Sequence, residues 1–319
     1  MTEITPEMID TTKQNERLAV TWHERIFKRI VIAAILFAAA IIICCIPLLK
    51  ISPLLLWLIC CCSFILAGIV IMISRIKLYS IVSIKKHLAQ IQGIPDDYFD
   101  EIQSCEDISI SQATNGFTDE IIAEWERQLE MQCNSPYRII SISNLHTAYV
   151  HRNDRANAQR MIAELDKTEL CCEYARKLSI GTQLMHCHFT EDKDSFIRIC
   201  EENQSALSEN ITRDMPTLTE YMQILAYYHF SAGEYEKALE YYNCLTSYYK
   251  GLIETAAHKN VPIGNSAEMN ACAYMLCCAD ICLKLGLKEK SDEYLSAAEK
   301  YIHHSKQHEA EFYRLRKGA

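Results

Sequence analysis

The sequence predicts an all-α protein, with a transmembrane helical hairpin followed by an irregular array of helix–turn–helix units. Three observations predict it. Two uncharged apolar stretches, residues 30–46 and 51–74, stand close together. Beyond residue 95, apolar residues recur at helical rather than alternating spacing. With 9 Gly and 7 Pro in 319 residues, and few β-branched runs after residue 95, the chain lacks the composition of a sheet protein.

Residues 1–29 form a leader in which acidic and basic residues balance. Residues 30–46 (IVIAAILFAAAIIICCI) and 51–74 are each near the ~20 residues that span a bilayer core, and only a short Pro47–Pro53 turn separates them. Pro47 ends the first helix, while Ser52 caps the second and Pro53 fits its first turn. A cleaved signal peptide does not fit, because the apolar stretch starts late and a second follows. Two buried helices of a soluble core, or a hairpin that dips in without crossing, are the competing readings. Arg17, Arg25, Lys28 and Arg29 precede the first stretch, and Arg75, Lys77, Lys85 and Lys86 follow the second, whereas the turn carries Lys50 alone. Positive charge stays on the cytoplasmic side. The expectation is therefore an integral protein of a bacterial plasma membrane with both termini cytoplasmic.

Residues 75–118 read as a juxtamembrane region. RIKLYSIVSIKKHLAQIQ is either a basic amphipathic helix along an anionic leaflet or a plain extension of the span. Residues 93–118, with Asp96, Asp97, Asp100, Glu101, Glu106 and Asp107, read as a solvated acidic linker, without calcium-loop spacing. Residues 94–319 carry 36 acidic and 22 basic residues, a net of −14. Such a surface excludes sequence-independent nucleic-acid binding, since phosphate contacts need a basic face.

The helical array occupies residues 119–319. Thr217 and Glu220 form a T-x-x-E capping box, as do Asn265 and Glu268 in N-x-x-E form; Ser135 and Pro136 offer another helix start. Turns are expected near Asn153, Asp192, Gly233 and Gly286. Residues 233–242 read GEYEKALEYY, with Gly233 suited to the left-handed backbone that ends a helix. Leu225, Ala238, Leu239, Tyr242 and Leu245 keep helical spacing, so each helix presents an apolar stripe that needs a neighbour.

Counted from Thr219, this stretch resembles a tetratricopeptide repeat, a helical hairpin of about 34 residues. Leu225 and Ala226 match the Leu-small pair of the first helix, Gly233 the turn, and Tyr235 the start of the second helix. Ala238 matches the close-approach alanine and Tyr242 the groove-filling aromatic. His229 stands where Tyr is usual, Leu245 where Ala is preferred, and Lys250 where Pro ends the helix. Weaker units start near Ile139 and Cys272. The resemblance implies a TPR-like binding scaffold. It also implies a partner-facing surface on the first helices, made here of Gln223, Tyr227, Phe230, Asn144, Thr147 and His151. The basic set that clamps a C-terminal carboxylate in that family is missing, so an aromatic, partly polar groove is expected instead. Packing of the same rings between units is the competing reading.

Sixteen cysteines invite a metal or disulfide reading. Cys44, Cys45, Cys60, Cys61 and Cys62 lie in the apolar stretches, and the rest face a reducing compartment if the topology holds. Cys272, Cys277, Cys278 and Cys282, with His186, Cys187 and His188, include no C-x-x-C pair and no set ligand spacing. No phosphate loop, nucleophile elbow or H-E-x-x-H site occurs. The expectation is a non-enzymatic, membrane-anchored adaptor that recruits a protein or peptide, without cofactor, metal or nucleic acid. A ligand-sensing regulator and an accessory subunit of a transport or secretion complex are the alternatives.

Overall fold

The computed structural model describes residues 1–45, 53–78, 86, 89–90, 94–132, 135–209, 211–258 and 265–318. Among these the chain is all-helical, without a strand. It divides into two compact units: Met1–Ile9 with Asp97–Ala319, and Asp10–Asp96.

The smaller unit contains most of α1 (Pro6–Cys45) and all of α2 (Pro53–Leu78). The leader is thus helical and runs unbroken into the first apolar stretch. In α2 the window Trp57–Ser74 is long and apolar enough to cross a membrane, and 6% of it is buried. Leu54, Trp57, Phe64, Ile65 and Met72 stand more than half exposed. Each such side chain left in water forgoes about 1.5–3 kcal/mol. Ser63, the buried polar group of that helix, returns its hydroxyl to the Ile59 carbonyl at 2.8 Å, as a polar side chain in apolar surroundings must. The turn at residues 46–52, and most of the basic stretch after Leu78, lie outside the described residues.

The stretch expected as an acidic linker is two helices, α3 (Asp96–Ser104) and α4 (Glu106–Asn115). Their acidic residues occupy outward positions, while Tyr98, Phe99 and Ile108 are buried. Tyr98 donates to the Pro136 carbonyl at 2.7 Å. Against α4 packs α5 (Asp119–Met131), capped by Thr118; its Trp125 is fully buried and donates Nε1–H to Gln112 at 2.8 Å. A run of six carboxylates outweighed these few large apolar side chains in the sequence reading. Burial decides the opposite way.

Four helical hairpins follow: α6 (Arg138–His151) with α7 (Arg155–Leu165), and α8 (Glu173–Thr190) with α9 (Lys193–Glu202). After the short α10 (Gln204–Ser208) come α11 (Met215–Ser231) with α12 (Tyr235–His258), then α13 (Asn265–Lys284) with α14 (Lys288–Ala298). Each turn places one residue at positive φ: Asn153 (57°), Glu191 (60°), Gly233 (81°) and Gly286 (73°). Each also carries the six-to-one bond of a Schellman turn: Asp154 to Tyr149, Asp192 to Cys187, Glu234 to His229 and Leu287 to Cys282, at 2.8–2.9 Å. The helices between them differ in length. In particular, α12 runs 24 residues, straight through Lys250.

Two helix starts differ from the capping reading. Asp214, not Thr217, caps α11 by accepting from Thr217 N–H, and α6 starts at Arg138, two residues beyond Pro136. A 3₁₀ turn (Glu299–His304) and α15 (Lys306–Gly318) end the chain.

The first helices of the hairpins close a circuit. Thr182 of α8 donates to Ser143 of α6 at 3.0 Å. His188 of α8 stands edge-on to Tyr227 of α11 at 4.1 Å. Tyr274 of α13 donates to Gln223 of α11 at 3.0 Å, and Glu268 of α13 meets His304 at 2.8 Å. Ser305 then donates to the His151 carbonyl of α6 at 3.2 Å, and His308 of α15 stands edge-on to the His151 ring. The contacts thus return to α6 through the 3₁₀ turn and α15.

Candidate functional site

The partner-facing residues expected from the sequence fall on α6 and α11. Tyr227 is buried, edge-on to His188 and Phe196 and stacked on Phe230. Phe230 lies beneath the ammonium groups of Lys193 (4.8 Å) and Lys284 (5.5 Å). Asn144 and Thr147 return their side chains to carbonyls one turn back, at 2.9 Å each. His151 is stacked on Phe117 and bonded to Ser305. Gln223 is exposed, but its carbonyl accepts from Tyr274. Tyr227 of the set is thus buried, Phe230, Asn144, Thr147 and His151 are partly buried, and Gln223 is exposed. Of the residues expected to define a repeat, Leu225, Ala226, Ala238 and Tyr242 are buried where α11 and α12 pack, Tyr235 is partly buried, and Gly233 is exposed at the turn.

The cysteines singled out as metal candidates also separate. Cys272 points to the Ala298 carbonyl and Cys278 to Asn243. Burial pushes both thiols up to about 12, which disfavours the thiolate a metal requires. Among the described residues, no three His, Cys, Asp or Glu side chains converge in a metal-holding group.

Around Tyr221 of α11 and Tyr241 of α12 lies a site that sequence reasoning missed. Segment 1–5 lies across it. The Tyr221 hydroxyl accepts from Thr2 N–H at 2.9 Å and donates to the Thr2 carbonyl at 3.0 Å. One hydroxyl, a single donor with two acceptor sites, thus pairs both backbone groups of one residue, much as a neighbouring strand would. Tyr241 adds a longer contact from Ile4 N–H at 3.5 Å. Lys237 pairs with Glu3 at 2.9 Å.

Helical spacing explains the layout. Tyr221 and Leu225 lie one turn apart on α11, and Lys237 and Tyr241 one turn apart on α12. The α11 pair is fixed in the core, with Tyr221 2% and Leu225 0% exposed. The Tyr241 ring is held parallel to His229 at 5.7 Å, and His229 is itself bonded to Glu234 at 2.7 Å. Met1, Ile4 and Met8 pack against Ile211, Tyr221 and Leu225, with Leu207 and Tyr241 beside them. Thr5 then ends the extended stretch. Its hydroxyl accepts from Met8 N–H at 3.4 Å, and Pro6 opens α1, in the order expected of a cap followed by a first-turn proline.

Electrostatics suit a neutral reader of backbone with one charged contact. Burial raises the Tyr221 and Tyr241 hydroxyls above the ordinary phenol range, so both keep the proton needed to donate. The hydrogen bond and charge of Lys237 hold the Glu3 carboxyl below its ordinary value, and Glu3 raises Lys237 in return. The sequence held two faint signals of this site. Met1, Ile4 and Met8 are apolar among the polar residues of 1–8, and Tyr241 stands within GEYEKALEYY, with Tyr221 on the helix before it.

Comparison of the chain with protein-family models, curated proteins and solved structures found no match.

Proposed function

We propose that the chain is a membrane-anchored interaction scaffold whose helical domain recruits a protein partner through an extended peptide segment. The observation that supports it is the hold on segment 1–5. Two tyrosine hydroxyls address its backbone, a lysine addresses its one carboxylate, and an apolar floor receives Met1 and Ile4. Recognition through main-chain groups, with side-chain pockets at intervals, is a recurring mode of peptide binding. In this reading α11–α12 is a TPR-like hairpin whose working face is the one bearing Tyr221. The anchor is a two-span hairpin in a bacterial plasma membrane, both termini cytoplasmic, supported by the exposed apolar α2 and the basic residues flanking both stretches. No cofactor or reaction chemistry enters it.

Affinity purification of the intact protein from its native membrane tests this reading, with a form lacking residues 97–318 as control. The scaffold reading expects a protein recovered with the intact chain and lost with the control. Equal recovery by both forms, or none, overturns it. A partner that disappears only when residues 30–74 are exchanged for an unrelated hairpin would instead favour an accessory subunit of a membrane complex.

A further inference from the structure

We infer that the Tyr221–Tyr241 face is an exchangeable peptide site, and that segment 1–5 is its resident occupant. The incoming ligand is an extended peptide of the pattern apolar-any-acidic-apolar. The inference rests on the scaffold reading and adds what the site recognises and what keeps it closed.

The recognition rule follows from the contacts. At the second position only the backbone is read, by Tyr221, so the side chain there is unrestricted. The third position faces Lys237 and calls for a carboxylate. The first and fourth positions enter apolar surroundings: Met1 packs against the cluster of Ile180, Leu184, Phe196 and Cys200, and Ile4 against that of Leu218, Ala238 and Tyr242. None of these contacts depends on the ligand being part of the same chain. Segment 1–5 has the hallmark of a removable occupant: it is held by side-chain hydroxyls and one ion pair rather than by a backbone ladder. An occupant tethered beside its own site competes by effective concentration, and the apparent affinity for an outside peptide falls by the fraction of sites left open.

The test uses full-length protein in detergent and a fluorescent peptide carrying residues 1–8, MTEITPEM, read by anisotropy. Four proteins are compared: wild type, a released form (Glu3→Gln with Ile4→Asp), the released form with Tyr221→Phe, and the released form with Lys237→Glu. The released form is expected to bind the probe at least ~10-fold more tightly than wild type, since tethering alone supplies a competitor of that order. Tyr221→Phe, which cannot hold both Thr2 backbone groups, is expected to reverse that gain. Lys237→Glu is expected to lose the probe and to recover binding with a probe in which Glu3 is replaced by Lys. That rescue keeps the test informative even where Tyr221→Phe lowers stability.

Equal affinity of wild type and released form, or no binding by either, overturns the inference. Failure of the charge-swapped pair does so too. Dimerisation of the wild type that the released form lacks would assign the site to a second copy and overturn exchange with a partner. These outcomes are separate from the scaffold reading, which native-membrane purification decides whether or not this probe binds.

Discussion

Acidification from pH 7.5 to 5 should destabilise the helical domain, and two buried histidines set the size of the effect. His146 is fully buried and His308 is 5% exposed; each leaves its Nδ1 without a hydrogen-bond partner. Burial holds both imidazoles down to about 3, helped by His186 beside His146, and by His151 and His304 beside His308. The unfolded chain takes up these protons near pH 6.5. A folded pKa below the unfolded one for a base means that the native state binds fewer protons. Stability is therefore complete above about 6.5 and falls as the pH drops toward 3. At pH 5 the difference is about 2 kcal/mol for each histidine. Half-buried His151 and His188, both lowered to about 4 by burial, act in the same direction. Glu220, whose carboxyl burial raises, opposes them weakly. For a domain of this size, 1 kcal/mol moves the thermal midpoint by about 2–4 °C, so the two histidines together lower it by roughly 10 °C. Circular dichroism melts of the detergent-solubilised protein at both pH values measure this. A His146→Gln, His308→Gln double variant should lose about half of the pH dependence, His151 and His188 carrying the remainder. An unchanged or higher wild-type midpoint at pH 5, or an equal drop in the variant, refutes the reasoning.

Three further outcomes test other parts of the architecture. Gly233→Ala adds a Cβ that meets nothing within 4 Å, so its cost is that of the positive φ alone, about 1–2 kcal/mol, read as a lower urea midpoint. Ala238→Leu overfills a fully buried helix crossing and should cost about 1–3 kcal/mol; a neutral result would show that α11 and α12 do not pack as described. Ile65→Arg places a charge near the middle of Trp57–Ser74, where insertion is opposed by roughly 3 kcal/mol. Carbonate extraction should then release protein that the wild type retains, and equal retention would argue against α2 as a spanning helix.

The legible parts of this fold were those set by local chemistry. Gly233 and Gly286 announce their turns because glycine reaches positive φ without a Cβ clash, and Asn153 does so because its short polar side chain tolerates the same region. Glu191 performs the identical turn with nothing in its residue type to show it; its own helix pair and the Asp192 cap impose the conformation. Tyr98, Phe99 and Ile108 were obscured by neighbouring carboxylates, since an amphipathic helix of nine or ten residues has too few apolar positions for a clear period. The site was illegible for a different reason. Its parts lie about 220 residues apart, as in the Thr2–Tyr221 pair, and no spacing rule connects them. Tyr227 and Tyr221 are equally aromatic in sequence and both are buried, and only the fold gives the Tyr221 hydroxyl the Thr2 backbone as its partner.

The make-up of the site also bears on how tightly it can bind. A trough lined by whole helices offers a ligand many apolar contacts, and affinity then scales with anchors in deep pockets. The segment-bearing face of α11–α12 is a smaller site. There the directional contacts are two hydroxyls and one exposed ion pair, which individually contribute about 1 kcal/mol or less. A site of that kind binds a free octapeptide weakly, in a range where a tethered segment at millimolar effective concentration competes successfully. Weak intrinsic binding and a resident occupant are thus mutually consistent: a site much tighter than this would never open, and a much weaker one would not hold segment 1–5. A partner able to displace that segment therefore needs either a better fourth-position side chain than Ile4 or a second contact elsewhere on the domain. The first possibility is checked by replacing the fourth probe residue with Leu, Phe or Trp and ranking the affinities on the released form. A ranking that tracks buried apolar area would place the discrimination in the pocket of Ile4, and a flat ranking would place it outside the five-residue site.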